Sequence, residues 1–385
     1  MSDLIYLDNA STSHPKPEAV YRAMDEVVRL SANPGRGGHR QALTLDRLVF
    51  ETREAVADLF GVSDSSRIVF TANATMAINV ALFGLLTAGD RVVTSSMEHN
   101  AVTRPLRVLQ DRGVEVVKVR ADGLGRLDGE AVRRACLEKP TRLLLINHCS
   151  NVTGTLQPIE AWGRWCRQQE ILFMVDGSQS AGSFPLHLEE LCIDLFAAPG
   201  HKGLLGPQGT GFLYLRPGLQ LTPLLYGGTG GNSGSERSPD QLPERLECGT
   251  LNTPGLAGLK AALAFIGSVG QERICAREQH LLRRLLDGLT ARPGIEVYGP
   301  CDAERHGAAV SFNLLDRDPS EVGFHLDHDF GISVRVGLHC APDAHRTIGT
   351  FPRGTVRVSP TYLTGDEDID SLLAALDEIL SSRAG

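Results

Sequence analysis

A lysine, an aspartate and a helix start are spaced along this sequence as the parts of a ligand site. Lys202 follows the apolar run at 194–197 and precedes a glycine-rich turn, where the backbone can approach a ligand closely. Asp176 ends an earlier apolar run, and open α/β folds bind ligands at the carboxyl ends of their strands. Ala74 and Thr75 begin a helix, whose free amides attract an anion. Taken singly, these residues could equally be a surface lysine, a turn aspartate and an N-cap.

The elements that would position these residues alternate between strand-like and helix-like stretches from about residue 67, as in a parallel sheet covered on both faces. We predict strands at 68–71, 91–95, 114–119, 142–147, 171–175, 194–197 and 211–215. The predicted helices lie at 75–86, 102–112, 128–137 and 158–169. The glycine- and serine-rich stretch 227–238 predicts a loop, because no strand leads into it and no helix pattern follows.

The pattern changes near residue 255, where we place a domain boundary. An amphipathic helix at 256–266 and a polar helical stretch to about 289 precede short strands at 295–298, 309–314, 332–336 and 355–358. We therefore predict a large domain of residues 1–255 and a smaller α+β domain of residues 256–385. The first ~15 residues are candidates for packing against the smaller domain.

Composition excludes several classes of protein. The chain has 385 residues, 42% of them apolar and 22% charged, which is ordinary for a folded protein with more than one core. Its net charge of −8 argues against nucleic acid as a partner, and its apolar runs are too short to span a membrane. The N-terminus lacks the features of a secretory signal, so we expect a cytoplasmic protein. None of the eight cysteines forms a Cys-x-x-Cys pair, and the His325/His328 pair lacks further ligands, so no metal site is predicted.

Eight segments, in order along nearly the whole chain, resemble the class V aminotransferase family of fold-type I pyridoxal-phosphate (PLP) enzymes, in particular its cysteine desulfurase and selenocysteine lyase branch. They are Tyr6-Leu-Asp-Asn-Ala-Ser, Ser96-Met-Glu-His99-Asn, Asn147-His-Cys-Ser-Asn151-Val-Thr-Gly, Asp176-Gly-Ser-Gln179, Gly200-His-Lys202, Gly249-Thr250-Leu-Asn-Thr, Arg335-Val-Gly-Leu-His-Cys340-Ala-Pro and Val356-Arg357-Val-Ser. The resemblance implies an α/β fold with a mostly parallel seven-stranded sheet in the large domain, and PLP as the cofactor.

The resemblance also implies a role for each matching residue. Lys202 would carry the cofactor covalently and later move the Cα proton of the substrate. Asp176 would face the pyridine nitrogen and keep it protonated. Gln179 would form a hydrogen bond with the phenolic oxygen of PLP. His99 would stack on the PLP ring and could act as an acid or base. Asn151 would lie beside the ring and the substrate carboxylate.

Phosphate binding would fall to the helix start, to His201 and to Thr250, the last of which would arrive from a second subunit of a homodimer. Arg357 would clamp the substrate carboxylate with its planar fork of donors. One position departs from the family. Pro199 stands three residues before the lysine, where a hydroxyl residue is usual, and a proline supplies neither a hydroxyl nor an N–H. One phosphate contact should therefore be missing.

Cys340 is the residue that would distinguish an enzyme that transfers sulfur from an aminotransferase. By the resemblance, it would take sulfur from L-cysteine as a persulfide and pass it to an acceptor protein or thiol, in a pathway such as iron–sulfur cluster assembly. Arg335 or a protonated His339 would favour the thiolate that this step needs. The short spacing from Arg335 to Cys340, with Ala-Pro directly after, resembles the group II, SufS-like enzymes, whose cysteine lies on a short and restrained segment.

Three alternatives stay open at this stage. A selenocysteine lyase would use the same site on L-selenocysteine and depend less on Cys340, because selenium leaves more easily. A class V aminotransferase, or a lyase acting on another amino acid, would leave Cys340 incidental. A non-enzymatic sulfur-relay or scaffold protein would need none of this chemistry, and the presence of Lys202, Asp176, Gln179 and Arg357 argues against it.

Overall fold

A computed structural model describes residues 4–30, 32–34, 38–229 and 235–382. The strands are β1 Ile5–Tyr6, β2 Ile68–Thr71, β3 Arg91–Ser95, β4 Glu115–Val119, β5 Leu143–Asn147, β6 Leu172–Asp176, β7 Leu195–Pro199, β8 Gly211–Leu215, β9 Ile295–Tyr298, β10 Val310–Leu314, β11 Ile332–Ser333, β12 Arg335–Gly337 and β13 Thr355–Val358. The helices are α1 Glu18–Val28, α2 Arg40–Leu59, α3 Ala74–Leu85, α4 Asn100–Asp111, α5 Gly129–Leu137, α6 Ile159–Gln168, α7 Thr253–Val269, α8 Gln271–Thr290, α9 Pro319–His328, α10 Pro342–Thr347 and α11 Asp366–Ser381.

Seven strands form the central sheet, in the order β2-β8-β7-β6-β5-β3-β4. In this sheet β8 runs antiparallel to both of its neighbours, and the pairs among β7, β6, β5, β3 and β4 are parallel. The inner strands are continuous apolar runs, buried at every residue, because helices cover both faces. The predicted mostly parallel, seven-stranded α/β fold is confirmed, with three strands at their predicted bounds.

The helices that cover the sheet are amphipathic. In α6, Trp162 and Cys166 are one turn apart and buried, whereas Glu160 and Arg164 pair on the opposite side at 2.8 Å. Side chains of α2, α5, α6 and α7 share one core with one face of the sheet, and those of α3 and α4 pack on the other face. The sheet is therefore enclosed, except where its carboxyl edge opens toward the loops.

A smaller α+β unit follows, as predicted. Its antiparallel sheet has the order β12-β13-β10-β9 and shares a core with α8, α9 and α11. The first strand, β1, pairs with β11 in parallel, with Ile5 opposite Ile332, and Leu7 is buried in the same core. The N-terminal segment therefore packs with this unit, although the large-domain sheet follows it in the chain.

Helix α7 bears on the boundary between the two units. The predicted boundary at 255 falls inside this helix, and its buried residues, such as Leu259 and Ile266, belong to the core of the large sheet. A continuous helix that packs on one core moves with that core. We therefore propose that the large domain extends to Val269 and that the smaller one begins near Gly270.

Two further predictions concern segments outside the core. The predicted loop at 227–238 includes residues 230–234, which lie outside the described residues, and its described flanks form neither helix nor strand. Across the described ranges, no helix is both long and apolar enough to cross a membrane.

Candidate active site

The predicted site residues converge at the carboxyl edge of the central sheet. A cavity of about 230 Å³ lies there, where Asn147 ends β5 opposite Asp176 at the end of β6. This is the edge at which parallel α/β sheets bind ligands. The predicted residues that line it are Ala74, Thr75, His99, Asn151, Asp176, Gln179, His201, Lys202 and Arg357.

Lys202 lies in the turn after β7 and reaches the cavity. Burial lowers the pKa of its amine to about 8, and nearby Arg357 and Arg335 act in the same direction, whereas Asp176 opposes them. An ordinary lysine is almost wholly protonated at neutral pH. Lys202 therefore holds an appreciable fraction of neutral amine, the form that attacks a carbonyl or takes a proton.

His99 caps the N-terminus of α4 on the cavity wall. Its Nδ1 accepts a hydrogen bond from the backbone N–H of Ala101 at 3.0 Å. Burial, reinforced by Lys202, lowers the pKa of the imidazole to about 4, so the ring is neutral at physiological pH. Because Nδ1 is an acceptor, the single ring proton lies on Nε2.

Glu98 lies behind the cavity-lining residues His99 and Asn147, in a buried position that the sequence did not reveal. Its side chain is fully buried, and Oε1 accepts hydrogen bonds from Ser95 Oγ at 2.5 Å and from the Asn147 N–H at 3.1 Å. Burial, with Asp176 acting in the same direction, raises the pKa of this carboxyl to about 8. Glu98 is therefore mostly protonated at pH 7 and places no second negative charge behind Asp176. A glutamate between Met97 and His99 carries no sequence signal of burial.

The start of helix α3 and His201 lie together on the cavity wall, where the sequence predicts phosphate binding. Asn73 caps the helix by accepting from the Met76 N–H at 2.9 Å, so the first amides, those of Ala74 and Thr75, remain for another acceptor. Burial lowers the pKa of His201 to about 4.

The predicted departure at Pro199 lies on the cavity wall as well. Pro199 ends β7 and lines the cavity there. It contributes neither a hydroxyl nor an N–H to that wall.

Two arginines and the N-terminal segment form another part of the cavity wall. Arg357 is buried, and it donates to Asp8 Oδ1 at 2.8 Å, to Ser11 Oγ at 2.9 Å and to the Asn151 carbonyl at 3.0 Å. Arg335 Nη1 donates to the same Ser11 Oγ at 2.7 Å. Asp8 and Ser11 lie in the first of the eight resembling segments, but no role was predicted for either of them.

Cys340 stands on a short segment next to this wall, where it is exposed. The segment is anchored twice, because Asn151 Nδ2 donates to the His339 carbonyl at 2.7 Å and the Asn100 N–H donates to the Cys340 carbonyl at 2.8 Å. His339 and Cys340 have φ of 47° and 58°, a left-handed conformation that costs a side-chain-bearing residue about 1–2 kcal/mol. Arg335 Nη2 lies 3.5 Å from Cys340 Sγ.

The expectation of a protonated His339 is wrong. Burial and the neighbouring Arg357 hold the pKa of this imidazole well below its ordinary value. Its Nε2 bonds Thr355 Oγ1 at 2.9 Å, and that hydroxyl donates its own proton to Ser311 Oγ, so Nε2 carries the ring proton. Arg335 is therefore the cation beside the Cys340 sulfur.

Comparison with known proteins agrees with this geometry. The aminotransferase class-V family model matches residues 5–372. The chain belongs to the class-V aminotransferase family. A probable cysteine desulfurase of Methanothermobacter thermautotrophicus is 38% identical, over 98% of this chain and 95% of its own length. The cysteine desulfurase of Pectobacterium atrosepticum is 34% identical, over 98% and 93%. The apo structure of a cysteine desulfurase from Thermococcus onnurineus superposes with a TM-score of 0.91 at 32% identity, covering 98% of this chain and 94% of that one.

Class-V aminotransferases are PLP enzymes, and the cavity residues fit that cofactor. Several buried polar atoms of these residues have no hydrogen-bond partner in the described part of the chain: His201 Nδ1, Asn147 Oδ1, Asn151 Oδ1 and Arg357 Nε. Buried polar groups without partners are rare unless a ligand or water completes them. The free helix start suits a phosphate, Asp176 suits a protonated ring nitrogen and Lys202 suits an aldehyde.

Thr250 is the one cofactor residue predicted to act across subunits. In its own chain it is exposed and lines a different pocket, together with Val49, Arg53 and Glu247. Glu247 and Arg53 form a buried ion pair there at 2.6 Å, which ties this loop to α2. Thr250 therefore lies outside the active-site cavity of its own chain.

The lowered pKa of Lys202 predicts a pH dependence. Because only the neutral amine attacks an aldehyde, we expect covalent capture of PLP by cofactor-free protein to become about eightfold faster from pH 6.5 to 7.5 and to level off above pH 9. Borohydride trapping at timed intervals, read by mass spectrometry, measures the rate. A rate that keeps rising to pH 10 would indicate an ordinary lysine.

Proposed function

We propose that this protein is a PLP-dependent cysteine desulfurase that converts L-cysteine to L-alanine and holds the sulfur as a persulfide on Cys340. The observation that carries the proposal is the placement of Cys340. Its segment is tied by Asn151 and Asn100 to the cavity wall that holds His99, and its sulfur lies beside Arg335. An enzyme that only exchanges amino groups has no use for a thiol held in this way. The cysteine desulfurases at 32–38% identity support the same reading.

Substrate binding is assigned to the arginine wall. Arg357 Nε is buried without a partner in the described chain, so this N–H is open to a charge-assisted hydrogen bond with a carboxylate. Arg335 lies on the same wall and adds a second positive charge. Because Asp8 neutralises only one of the two cations, the wall keeps a net positive charge for one carboxylate. This directs the amino and thiol groups of L-cysteine toward Lys202 and Cys340.

Proton transfer at Cα is assigned to Lys202. When bound, PLP withdraws electrons from Cα, and Asp176 supports this by favouring a protonated ring nitrogen. Lys202 takes the Cα proton as a neutral amine, and its pKa of about 8 suits a base that works near neutral pH. His99 offers a fixed N–H donor at Nε2, and Gln179 retains amide capacity beyond its bond to the Ala10 carbonyl at 3.1 Å.

The sulfur step uses Cys340 as the nucleophile. Its thiolate attacks the substrate sulfur, the S–S bond forms and the Cβ–S bond of the substrate breaks, so L-cysteine and one thiol become L-alanine and one persulfide. The Arg335 guanidinium stabilises negative charge on the attacking sulfur. Cys340 is exposed, so an acceptor protein or small thiol can reach the persulfide. The short, doubly anchored segment favours the group II, SufS-like type.

A homodimer is part of the proposal, because Thr250 can serve a cofactor only in another subunit. The surface near Thr250 exposes Phe50, Leu225 and Tyr226, with Tyr226 at 69%. A hydrogen bond from the Gly249 N–H to the Gly228 carbonyl, at 2.8 Å, links the Tyr226 segment to the Thr250 loop. Exposed apolar side chains around Thr250, which can contact a cofactor only in another subunit, indicate a subunit interface.

Tyr226→Glu tests the dimer. A buried, unpaired carboxylate at an interface is costly, so we expect this variant to shift toward the 41.5 kDa monomer and to hold PLP at least about tenfold more weakly. Sedimentation velocity and cofactor titration measure the two effects. Phe324→Glu, which alters an exposed aromatic on α9 of the smaller domain, is the matched control. A Tyr226→Glu protein of unchanged mass and affinity would contradict the assignment.

The activity is tested by incubating the PLP-loaded protein with L-cysteine and a reductant, and measuring alanine and sulfide. Equal amounts of the two products support the desulfurase. Release of a keto acid, with an amino group transferred to the cofactor, would instead show an aminotransferase. Turnover of L-selenocysteine alone would show a selenocysteine lyase, and no turnover of any amino acid would leave only a relay or scaffold role.

A further inference from the structure

Ser11 lies where the two arginines of the cavity wall meet. Its Oγ accepts hydrogen bonds from Arg335 Nη1 at 2.7 Å and from Arg357 Nη2 at 2.9 Å, and donates to Asp8 Oδ1 at 2.8 Å. A hydroxyl has one proton and two lone pairs, so all three of its hydrogen-bonding positions are used. Such a hydroxyl fixes the relative position of its three partners.

The two arginines depend on Ser11 unequally. Arg357 also bonds Asp8 and the Asn151 carbonyl, so it keeps two partners without the hydroxyl. Arg335 forms no ion pair with a carboxylate in the described ranges, and its side-chain contacts there are Ser11 Oγ and, through Nη2, Cys340 Sγ. Because a guanidinium is planar and rigid, fixing Nη1 on Ser11 also fixes the direction of Nη2 toward the sulfur.

We propose that Ser11 is a positioning residue that holds Arg335 between the substrate-carboxylate wall and the Cys340 sulfur. The part that concerns substrate rests on the proposed function, whereas the part that concerns the sulfur does not. Without the hydroxyl, Arg335 lies beside a second cation, Arg357, with a single weak contact to hold it. The guanidinium then rotates away from Arg357 and spends less time beside Cys340 Sγ.

The test measures the reactivity of Cys340 in the PLP-loaded protein without substrate. In Ser11→Ala we expect alkylation of Cys340 by iodoacetamide at pH 7 to slow by about threefold to tenfold, since a cation beside the sulfur favours the reactive thiolate. Peptide mass spectrometry reads each cysteine separately. Cys301, the other exposed cysteine, is the internal reference and keeps its rate. Ser11→Thr keeps a hydroxyl and restores the rate.

Ser359→Ala is the matched control. Ser359 Oγ accepts from the Ala10 N–H at 2.8 Å, so this variant removes a hydroxyl that supports the same N-terminal segment without contacting either arginine. Equal slowing of Cys340 in both variants would show that segment packing, and not Ser11 itself, matters, and would overturn the proposal. An unchanged Cys340 rate in Ser11→Ala overturns it directly.

Steady-state kinetics then test whether Ser11 also affects the binding and turnover of L-cysteine. We expect Ser11→Ala to raise KM for L-cysteine about tenfold and to lower kcat in proportion to the slower alkylation of Cys340. If the wild-type protein does not desulfurise L-cysteine but the alkylation pattern appears, the proposed function fails and the positioning of Arg335 by Ser11 stands. If thermal melting shows that Ser11→Ala is unfolded, Ser11→Val replaces it and is compared with Ser11→Thr, which has the same shape and keeps a hydroxyl. Cys340 must react more slowly in Ser11→Val than in Ser11→Thr, and equal rates overturn the proposal.

Discussion

Replacing Lys202 with alanine lowers the release of alanine from L-cysteine by at least about a thousandfold. The variant loses the amine that captures the cofactor and the base that takes the Cα proton, and a general base alone contributes about 10²- to 10⁴-fold. Chromatography of the amino acid products measures the rate. After borohydride reduction, mass spectrometry should find a pyridoxyl group on the wild-type chain and none at this position in the variant.

The matched control is Lys139→Ala, which removes an exposed lysine paired with Glu115 and should change neither measurement. A Lys202→Ala protein that stays yellow and active would show that another group performs both tasks. In that case the lowered pKa of Lys202 would reflect only its burial.

Replacing Cys340 with serine lowers desulfuration of L-cysteine by at least about a hundredfold. The hydroxyl is close in size to the thiol, but it is not ionised near Arg335 and does not form the S–S bond of the persulfide. Turnover of L-selenocysteine should fall by no more than a few-fold, because selenium leaves without a thiolate nucleophile. Alanine formation from each substrate provides the ratio of the two effects.

Cys301→Ser controls for the loss of an exposed thiol, and it should retain full activity on both substrates. Full desulfuration of L-cysteine by Cys340→Ser would refute the persulfide step. A transamination product from either variant would instead favour the aminotransferase reading, in which Cys340 is incidental. The two outcomes are separated by the identity of the product, so both can be scored in one assay.

The central sheet was predictable because its strands carry the simplest signal in a sequence. Runs such as those that became β5 and β6 are apolar throughout, since both of their faces are buried, and turn residues bound them. Asp176 was therefore predicted at the carboxyl end of its strand, and it lies there, opposite Asn147. Helix α2 was not predicted, although Leu45, Val49 and Val56 recur at helical spacing on its buried face.

The site was harder to predict where it depends on tertiary contacts. Lys202, Asp176 and His99 were found from motifs, and the structure brings them into one cavity. The neutral state of His339 could not be read from its neighbours in sequence, because it follows from burial and from a hydroxyl chain through Thr355. Ser11 meets residues more than 320 positions away, and no local pattern encodes such a contact.

Because β1 pairs with β11, the parts of the active site must form in a fixed order while the chain is being synthesised. The central sheet has all of its strands once residue 215 has left the ribosome, and domains generally fold from the N-terminal side as the chain emerges. The strand at Ile5 cannot pair until Ile332 has been synthesised, and Asp8 cannot form its ion pair until Arg357 has been synthesised. A nascent chain can therefore form the cofactor side of the cavity well before it can hold a substrate or present a sulfur nucleophile. A chain that ends after Val269 contains every element of the large domain and should accordingly take up PLP without consuming free cysteine.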